Sequence, residues 1–324
     1  MKQPTQPTFA ASGFEAFRKP TRRERFLGEM DRVVPWAELC ALVEPVYPKG
    51  TSGAGRPPIP LERMLRIYFL QHWFNLSDPA VEESLYESVS MRTFAGIDLG
   101  REPAPDETTV CKFRHLLEQH GLGKQLFEAV GVHLQRMGLK VSSGTIVDAT
   151  IISAPSSTKN STGTRDPEMH QTKKGKDWFF GMKAHVGVDR KTKLIHSVAA
   201  TPANVADRHL LEQLLHGGET HVWGDAAYYG STERIRARSP NARDHTQRRG
   251  RGYKYLTEYE RQINRARSRI RARVEHSIGV IKRVFGFAKV RYRGIAKNAN
   301  RLFVTCALAN LFLARRHLIR VQQG

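Results

Sequence analysis

Three carboxylates and two cations are the residues of this chain whose types and spacing could do chemistry. Asp148 lies inside Gly144-Thr145-Ile146-Val147-Asp148-Ala149-Thr150-Ile151-Ile152, an otherwise apolar and β-branched run. Burying an unpaired carboxylate costs on the order of several kcal/mol, so such a residue needs a metal, a cation or hydrogen-bond donors. Asp225 repeats the situation at the end of His221-Val222-Trp223-Gly224-Asp225. Either aspartate alone could equally end a strand and cap a turn. Glu275 falls in a segment crowded with Arg265, Arg267, Arg269, Arg271 and Arg273, where a glutamate is by default a salt-bridge partner. Arg271 precedes it by four residues and Lys282 follows it by seven, so on a helix the three share one face. That face offers one metal-binding carboxylate between two phosphate-binding cations.

Other metal chemistries find no support. Cys40, Cys111 and Cys306 are far apart and odd in number, which fits a reducing compartment better than a disulfide framework or a thiolate clip. The 13 histidines include no HExxH and no zinc-finger spacing. A metal bound here must be held by carboxylates.

Net charge points to the partner. The chain carries +21 at neutral pH, which predicts attraction to polyanions. From Ser231 to Ile295 there are 19 Lys or Arg against 5 Asp or Glu, a local excess of +14. Clustering of this kind favours a phosphate-binding face over a uniformly basic surface. The longest apolar run, Leu302 to Ala314, is short of the roughly 20 residues that span a bilayer, and reads as a buried helix. The N-terminus lacks the apolar core of a secretory signal. No membrane partner is expected.

The elements that must position these groups fall into two blocks after a loose, polar segment over residues 1–20. Residues 21–140 read as helical, with apolar positions at helical spacing in Leu61 to Leu70. Asp78 before Pro79 reads as a cap opening a helix through Val89, and Asp106 as the cap of Glu107 to Gln119. Short helices and tight turns suit either a helix-turn-helix or a bundle that only packs. Gly55-Arg56-Pro57 reads as a turn, with a minor-groove hook as the alternative. Residues 141–324 begin with the Asp148 strand, then a Ser/Thr/Lys-rich loop from Ser153 to Lys176. Phe180 to Val188 and Leu194 to Ala200 form a hairpin whose turn includes Asp189. Asp207 is expected to cap a helix from Arg208 to Leu215 rather than to bind metal. A strand ends at Asp225, one helix spans about Tyr259 to Val284, and another spans roughly Asn298 to Arg316. This order is consistent with an α/β, ribonuclease H-like mixed-sheet domain behind an all-helical one. Its fifth strand is not legible, because Ser239 to Gly252 is nearly all polar. Lys183 and His185 alternate with apolar residues, which places them on one sheet face that could meet DNA.

The motifs converge on a family. They include Leu76-Ser77-Asp78, Pro105-Asp106-Glu107-Thr108-Thr109, Val147-Asp148-Ala149-Thr150 and Pro155-Ser156-Ser157-Thr158-Lys159-Asn160. Trp178-Phe179-Phe180-Gly181-Met182-Lys183-Ala184-His185 and Gly224-Asp225-Ala226-Ala227-Tyr228 complete the set. Together they resemble bacterial insertion-sequence transposases of the DDE superfamily, specifically the IS-five type, over nearly the whole chain. The late-helix signature of tyrosine, arginine, glutamate and lysine is met by Arg271, Glu275 and Lys282. Its tyrosine slot holds Ser268, a departure from the superfamily pattern.

The resemblance implies that Asp148, Asp225 and Glu275 hold two Mg²⁺ ions, with Mn²⁺ expected to substitute. Arg271 and Lys282 would position phosphates beside them. It also implies double-stranded DNA as substrate, both element ends and target, a homo-oligomer pairing two ends, and a cytoplasmic, nucleoid-associated bacterial location. Water would first free a 3′-hydroxyl at each end, which would then attack target DNA. The rivals are a ribonuclease H-like nuclease that cuts without joining and a domesticated DNA-binding repressor.

Overall fold

A sheet of six strands lies against a layer of helices in the computed structural model, which describes residues 19–49, 58–161, 163–250 and 255–323. The Gly55-Arg56-Pro57 turn and the first 18 residues of the loose segment lie outside the described residues. Seven helices come first: α1 (Arg22–Val33), α2 (Trp36–Val43), α3 (Leu61–Trp73), α4 (Asp78–Glu87), α5 (Val89–Ala95), α6 (Glu107–Gln119) and α7 (Leu122–Arg136). Asp106 caps α6 as expected, accepting the Thr109 N–H at 2.7 Å. At α4 the cap is Ser77, which accepts the Ala80 N–H, and Asp78 stands one residue inside. The Asp78 carboxylate is taken instead by Arg114 at 2.9 Å and Gln71 at 2.8 Å. The expected single helix through Val89 is broken at Ser88, whose extended backbone ends α4 and whose hydroxyl caps α5.

The sheet follows: β1 (Gly144–Ser153), β2 (His170–Lys174), β3 (Asp177–Asp189), β4 (Ile195–Pro202), β5 (His221–Trp223) and β6 (Arg243–Asp244). β1 is central, antiparallel to β3 and parallel to β5. β6 runs parallel to β5 at one edge. On the far side, β3 pairs with β2 along its first part and with β4 along its second. Two of these strands differ from expectation. β2 lies within the predicted loop, and its residues are solvated on both faces, so no apolar alternation marks it. β6 is the strand that was illegible: two polar residues held by backbone pairing.

Alternation along β1 separates two faces. Ile146, Asp148 and Ile152 share a face with Met182, Ala184 and Val186 of β3, and the apolar members join the helical layer in one continuous core. Val147 faces the other way, into a smaller cluster with Leu211, Leu214, Val222 and Tyr228.

After β6 come α8's successors in the fold: α8 itself (Thr232–Arg238) precedes β6, and α9 (Glu258–Arg271), α10 (Val274–Gly279) and a π-helical turn (Val280–Val284) follow it. The expected long helix is thus bent at Ala272-Arg273 and widened at its end. A capping box between Thr257 and Glu260 starts α9. The last helix, α11 (Ile295–Val321), is longer than expected, and by length and composition it passes for a membrane span. Its Leu302, Leu308 and Leu311 are fully buried between α1, α3 and α7 on one side and β4 on the other. Each such leucine contributes about 1.5–3 kcal/mol. α11 therefore ties the helical block and the sheet into one core.

Candidate active site

The carboxylate site is built from the middle of β1, the end of β5 and the α9–α10 corner. Asp148 is the buried member, only 9% exposed. One of its oxygens accepts the Ala149 N–H at 2.8 Å, and the other accepts an Arg271 guanidinium N–H at 2.9 Å. Burial pushes its pKa up to about 6 against the pull of Arg271 and the Ala149 amide, and the negative charge of Asp225 adds to the rise.

Asp225 lies two residues beyond the last paired position of β5, on extended backbone. Its carboxylate accepts the Ala227 N–H at 2.9 Å, which caps the short 3₁₀ turn Ala226–Tyr228. The turn is packed tightly. A Cβ on Gly224 would stand 2.9 Å from the Tyr228 ring and 3.1 Å from Val147, so this position requires glycine.

Arg271 closes α9, and its guanidinium spans two carboxylates, Asp148 and, at 3.4 Å, Glu275. Glu275 opens α10 and is 62% exposed. Val274 beside it is fully buried, and the Ser277 hydroxyl donates to the Lys193 carbonyl at 2.6 Å, which seats α10 against the sheet. Lys282 sits in the π-helical turn, a geometry often found at functional sites. It donates to the Ile151 carbonyl at 2.8 Å and lies 3.3 Å from the Thr150 hydroxyl. Burial and the nearby charge of Lys174 lower its pKa. Arg271 and Lys282 thus reach Asp148 and Thr150, neighbours on the same face of β1. Ser268, in the slot where the broader pattern has tyrosine, accepts a hydrogen bond from Gln247 and ties α9 to the segment after β6.

Lys183 and His185 lie elsewhere. They pair across the ladder with Ile151 and Ala149, on the sheet face opposite Asp148. Lys183 forms an ion pair with Asp207 at 2.8 Å, and His185 has no exposed surface. The His185 ring bonds the Thr201 hydroxyl at 2.8 Å, and burial pushes it down to about 4, so it is neutral near pH 7. Neither side chain offers a free cation to DNA. Asp207 is likewise not a helix cap: the 3₁₀ segment Asp207–Leu214 has Ala206 at its N-cap with no side-chain cap bond. Asp189 does organise the hairpin turn, accepting from Ser142, Lys191 and Thr192.

Sequence reading missed two contributors. Lys174 of β2 acts electrostatically on both Asp148 and Lys282, and lies in a segment read as loop. Tyr228 is fully buried, and its hydroxyl has no hydrogen-bond partner. It packs with Val147 in the smaller cluster, and its pKa is raised by burial first and then by the charges of Asp207, Asp148 and Asp225. Its place in the Asp225 motif was the available signal.

A second group of potential metal donors, His196, His216 and Glu219, lies at the other end of β1. Both Glu219 oxygens are already occupied, one by the Thr145 hydroxyl and His216 N–H, the other by the Gly217 N–H and Ser239 hydroxyl. This group pins the loop before β5 and leaves little capacity for an ion.

The carboxylate positions fall within a stretch matched by a family model. Residues 140–311, just over half of the chain, match the transposase DDE domain. The chain belongs to the DDE transposases. Residues 15–116 of this transposase match a second model, Transposase domain (DUF772). No solved structure matches it. Membership makes the chain a DNA-cleaving phosphoryl-transfer enzyme. Asp148, Asp225, Arg271, Glu275 and Lys282 all lie within the DDE-domain match.

Proposed function

We propose that this transposase, of the IS-five type, cuts the ends of its own insertion sequence and joins the freed 3′-hydroxyls to target DNA, with Asp148, Asp225 and Glu275 as the metal-holding carboxylates. The observation that carries this reading is the Arg271 bridge. One cation already binds Asp148 and Glu275 together, and Asp225 is near enough to add to the pressure on Asp148. The donors are all carboxylate oxygens, the set that Mg²⁺ takes. When bound, two such ions supply Lewis-acid stabilisation of the attacking and leaving oxygens at phosphorus.

The chain's own residues do the rest. Asp148 must be ionised to act as a ligand, so the proton that burial favours there competes with the metal for it. Arg271, released from the carboxylates, presents a planar fork to a phosphate. Lys282, held by the Ile151 carbonyl, offers a point charge from a fixed place. The family supports DNA as substrate, and the local excess of +14 supports a phosphate-binding face. The sheet supports a ribonuclease H-like assignment: three antiparallel strands, β4, β3 and β1, followed by parallel β5 and β6. Residues 21–140 would bind the element ends, 141–324 would carry the chemistry, and a homo-oligomer would pair the two ends in the bacterial cytoplasm.

Joining is tested with a precleaved end duplex, target DNA and Mg²⁺. Covalently joined product is expected; hydrolysis without joined product would leave a nuclease.

A further inference from the structure

Beyond β6, at the sheet edge away from β1, four arginines line a cleft of about 510 Å³. Arg236 comes from the last turn of α8, Arg243 from β6, Arg248 from the segment after it and Arg267 from α9. The acids nearby are already committed. Asp244 accepts the Thr232 hydroxyl at 2.6 Å and the Thr246 N–H at 2.7 Å, and Glu260 pairs with Arg248 at 3.0 Å. Arg267 donates to the Thr246 carbonyl rather than to a carboxylate. Arg236 and Arg243 are exposed, and their guanidinium groups make no hydrogen bond or ion pair among the described residues. Burial, and then the opposing charge of Arg248, holds the Arg267 guanidinium below its ordinary value despite Asp244.

We propose that this cleft is a second DNA contact, distinct from the carboxylate site, in which Arg236, Arg243 and Arg267 hold a backbone phosphate of the DNA being cut. This rests on the DNA-transposase reading and extends it to a site that cuts nothing. Guanidinium forks match phosphate oxygens in geometry and charge, and three arginines that form no ion pair, with one nearby aspartate engaged by Thr232 and Thr246, leave charge for an anion.

Position favours a continuous strand over a free ion. The segment after β6 runs along β5: the His245 N–H donates to the Val222 carbonyl, and the Gln247 N–H donates to the Gly224 carbonyl at 3.0 Å. The residue after Gly224 is Asp225. A strand engaged at Asp225 therefore passes the rim of the cleft. The same segment is latched to α9, with Arg248 N–H bonded to Asn264 and the Gln247 amide to Ser268, which fixes the cleft relative to Arg271 at the end of that helix.

The test uses the full-length protein and a labelled element-end duplex in EDTA, so that binding is read without cleavage. The double variant Arg236→Ala/Arg243→Ala is expected to bind about ten-fold more weakly at 0.1 M salt, with a salt slope shallower by about 0.9 per lost phosphate contact. Its thermal midpoint should be unchanged, because neither side chain has a partner to lose. Methylphosphonate substitution at one backbone position should weaken the wild type and leave the double variant indifferent. Arg261→Ala/Arg265→Ala removes two charges from α9 that pair with Glu258, and should not reproduce these effects. Wild-type affinity and slope in the cleft variant, or equal losses in the α9 control, would overturn the proposal. A wild-type protein that binds no DNA would instead overturn the transposase reading on which it rests.

Discussion

The two faces of the central sheet each carry a carboxylate joined to a cation, yet they are built for different ends. On one face Asp148 meets Arg271, whose guanidinium also touches the exposed Glu275. On the other, Asp207 meets Lys183, whose ammonium also donates to the Val205 carbonyl, beside a His185 with no exposed surface. The first pair extends to a third charged group that is mostly exposed, Glu275, and a second carboxylate, Asp225, presses on Asp148. An ion pair alone does not mark a site. What distinguishes the two is the setting of the cation: Arg271 also reaches the exposed Glu275, whereas Lys183 is tied to a backbone carbonyl.

The largest expected difference follows from that. Asp148→Asn should lower Mg²⁺-dependent end cleavage by about 10³-fold or more, roughly the cost of losing a group that stabilises the transition state electrostatically. Asp207→Asn should leave cleavage within a few-fold of wild type but destabilise the fold by about 2–3 kcal/mol in urea unfolding, since it strands Lys183. If Asp207→Asn abolished cleavage at unchanged stability, the distinction between the faces would fail.

Acid titration should separate the faces with opposite signs. Asp148 is raised to about 6 in the folded, metal-free protein, so the native state holds its proton more tightly than the unfolded chain does. Its contribution to stability therefore falls as pH rises from about 4 to 6. His185 is pushed down to about 4, so the unfolded chain binds the proton first, and stability falls as pH drops from 6.5 towards 4. In the wild type the two trends oppose each other. Asp148→Asn should expose the acid loss, and His185→Gln should remove it, both read as unfolding midpoints against pH in EDTA.

The smallest effect is expected at Tyr228, in the cluster on the Val147 face. The Tyr228 hydroxyl is buried without a partner. Tyr228→Phe should leave cleavage within about three-fold and raise stability by up to about 1 kcal/mol, because it removes an unsatisfied polar group. A large loss of cleavage would mean that the hydroxyl touches the reacting groups.

The legibility of these features tracks how local their causes are. β1 could be read because an apolar, β-branched run needs no partner to be recognised, and the misfit of Asp148 within it was visible for the same reason. The Asp106 cap was legible because its acceptor and the Thr109 donor are three residues apart. Asp207 looked like the same kind of cap and was not: its partner Lys183 lies 24 residues earlier, across a tertiary contact that no local rule contains. Lys183 and His185 were correctly placed on one face, but alternation does not say which face meets solvent. β6 escaped because its two residues are polar and are held by backbone pairing to β5, with Asp244 bonded to the Thr232 hydroxyl of α8. Glu275 was suspected from spacing with Arg271 and Lys282, and the bend at Ala272-Arg273 preserves the contact between Arg271 and Glu275.

Cleavage of a labelled element-end duplex by purified protein in Mg²⁺, wild type beside Asp225→Asn, puts the three-carboxylate site at greatest risk. Asp225→Asn should bind the end within about two-fold of wild type and cut it at least about 10³-fold more slowly. Cleavage retained at the wild-type rate would contradict the assignment of Asp225, and with it the metal site shared with Asp148 and Glu275.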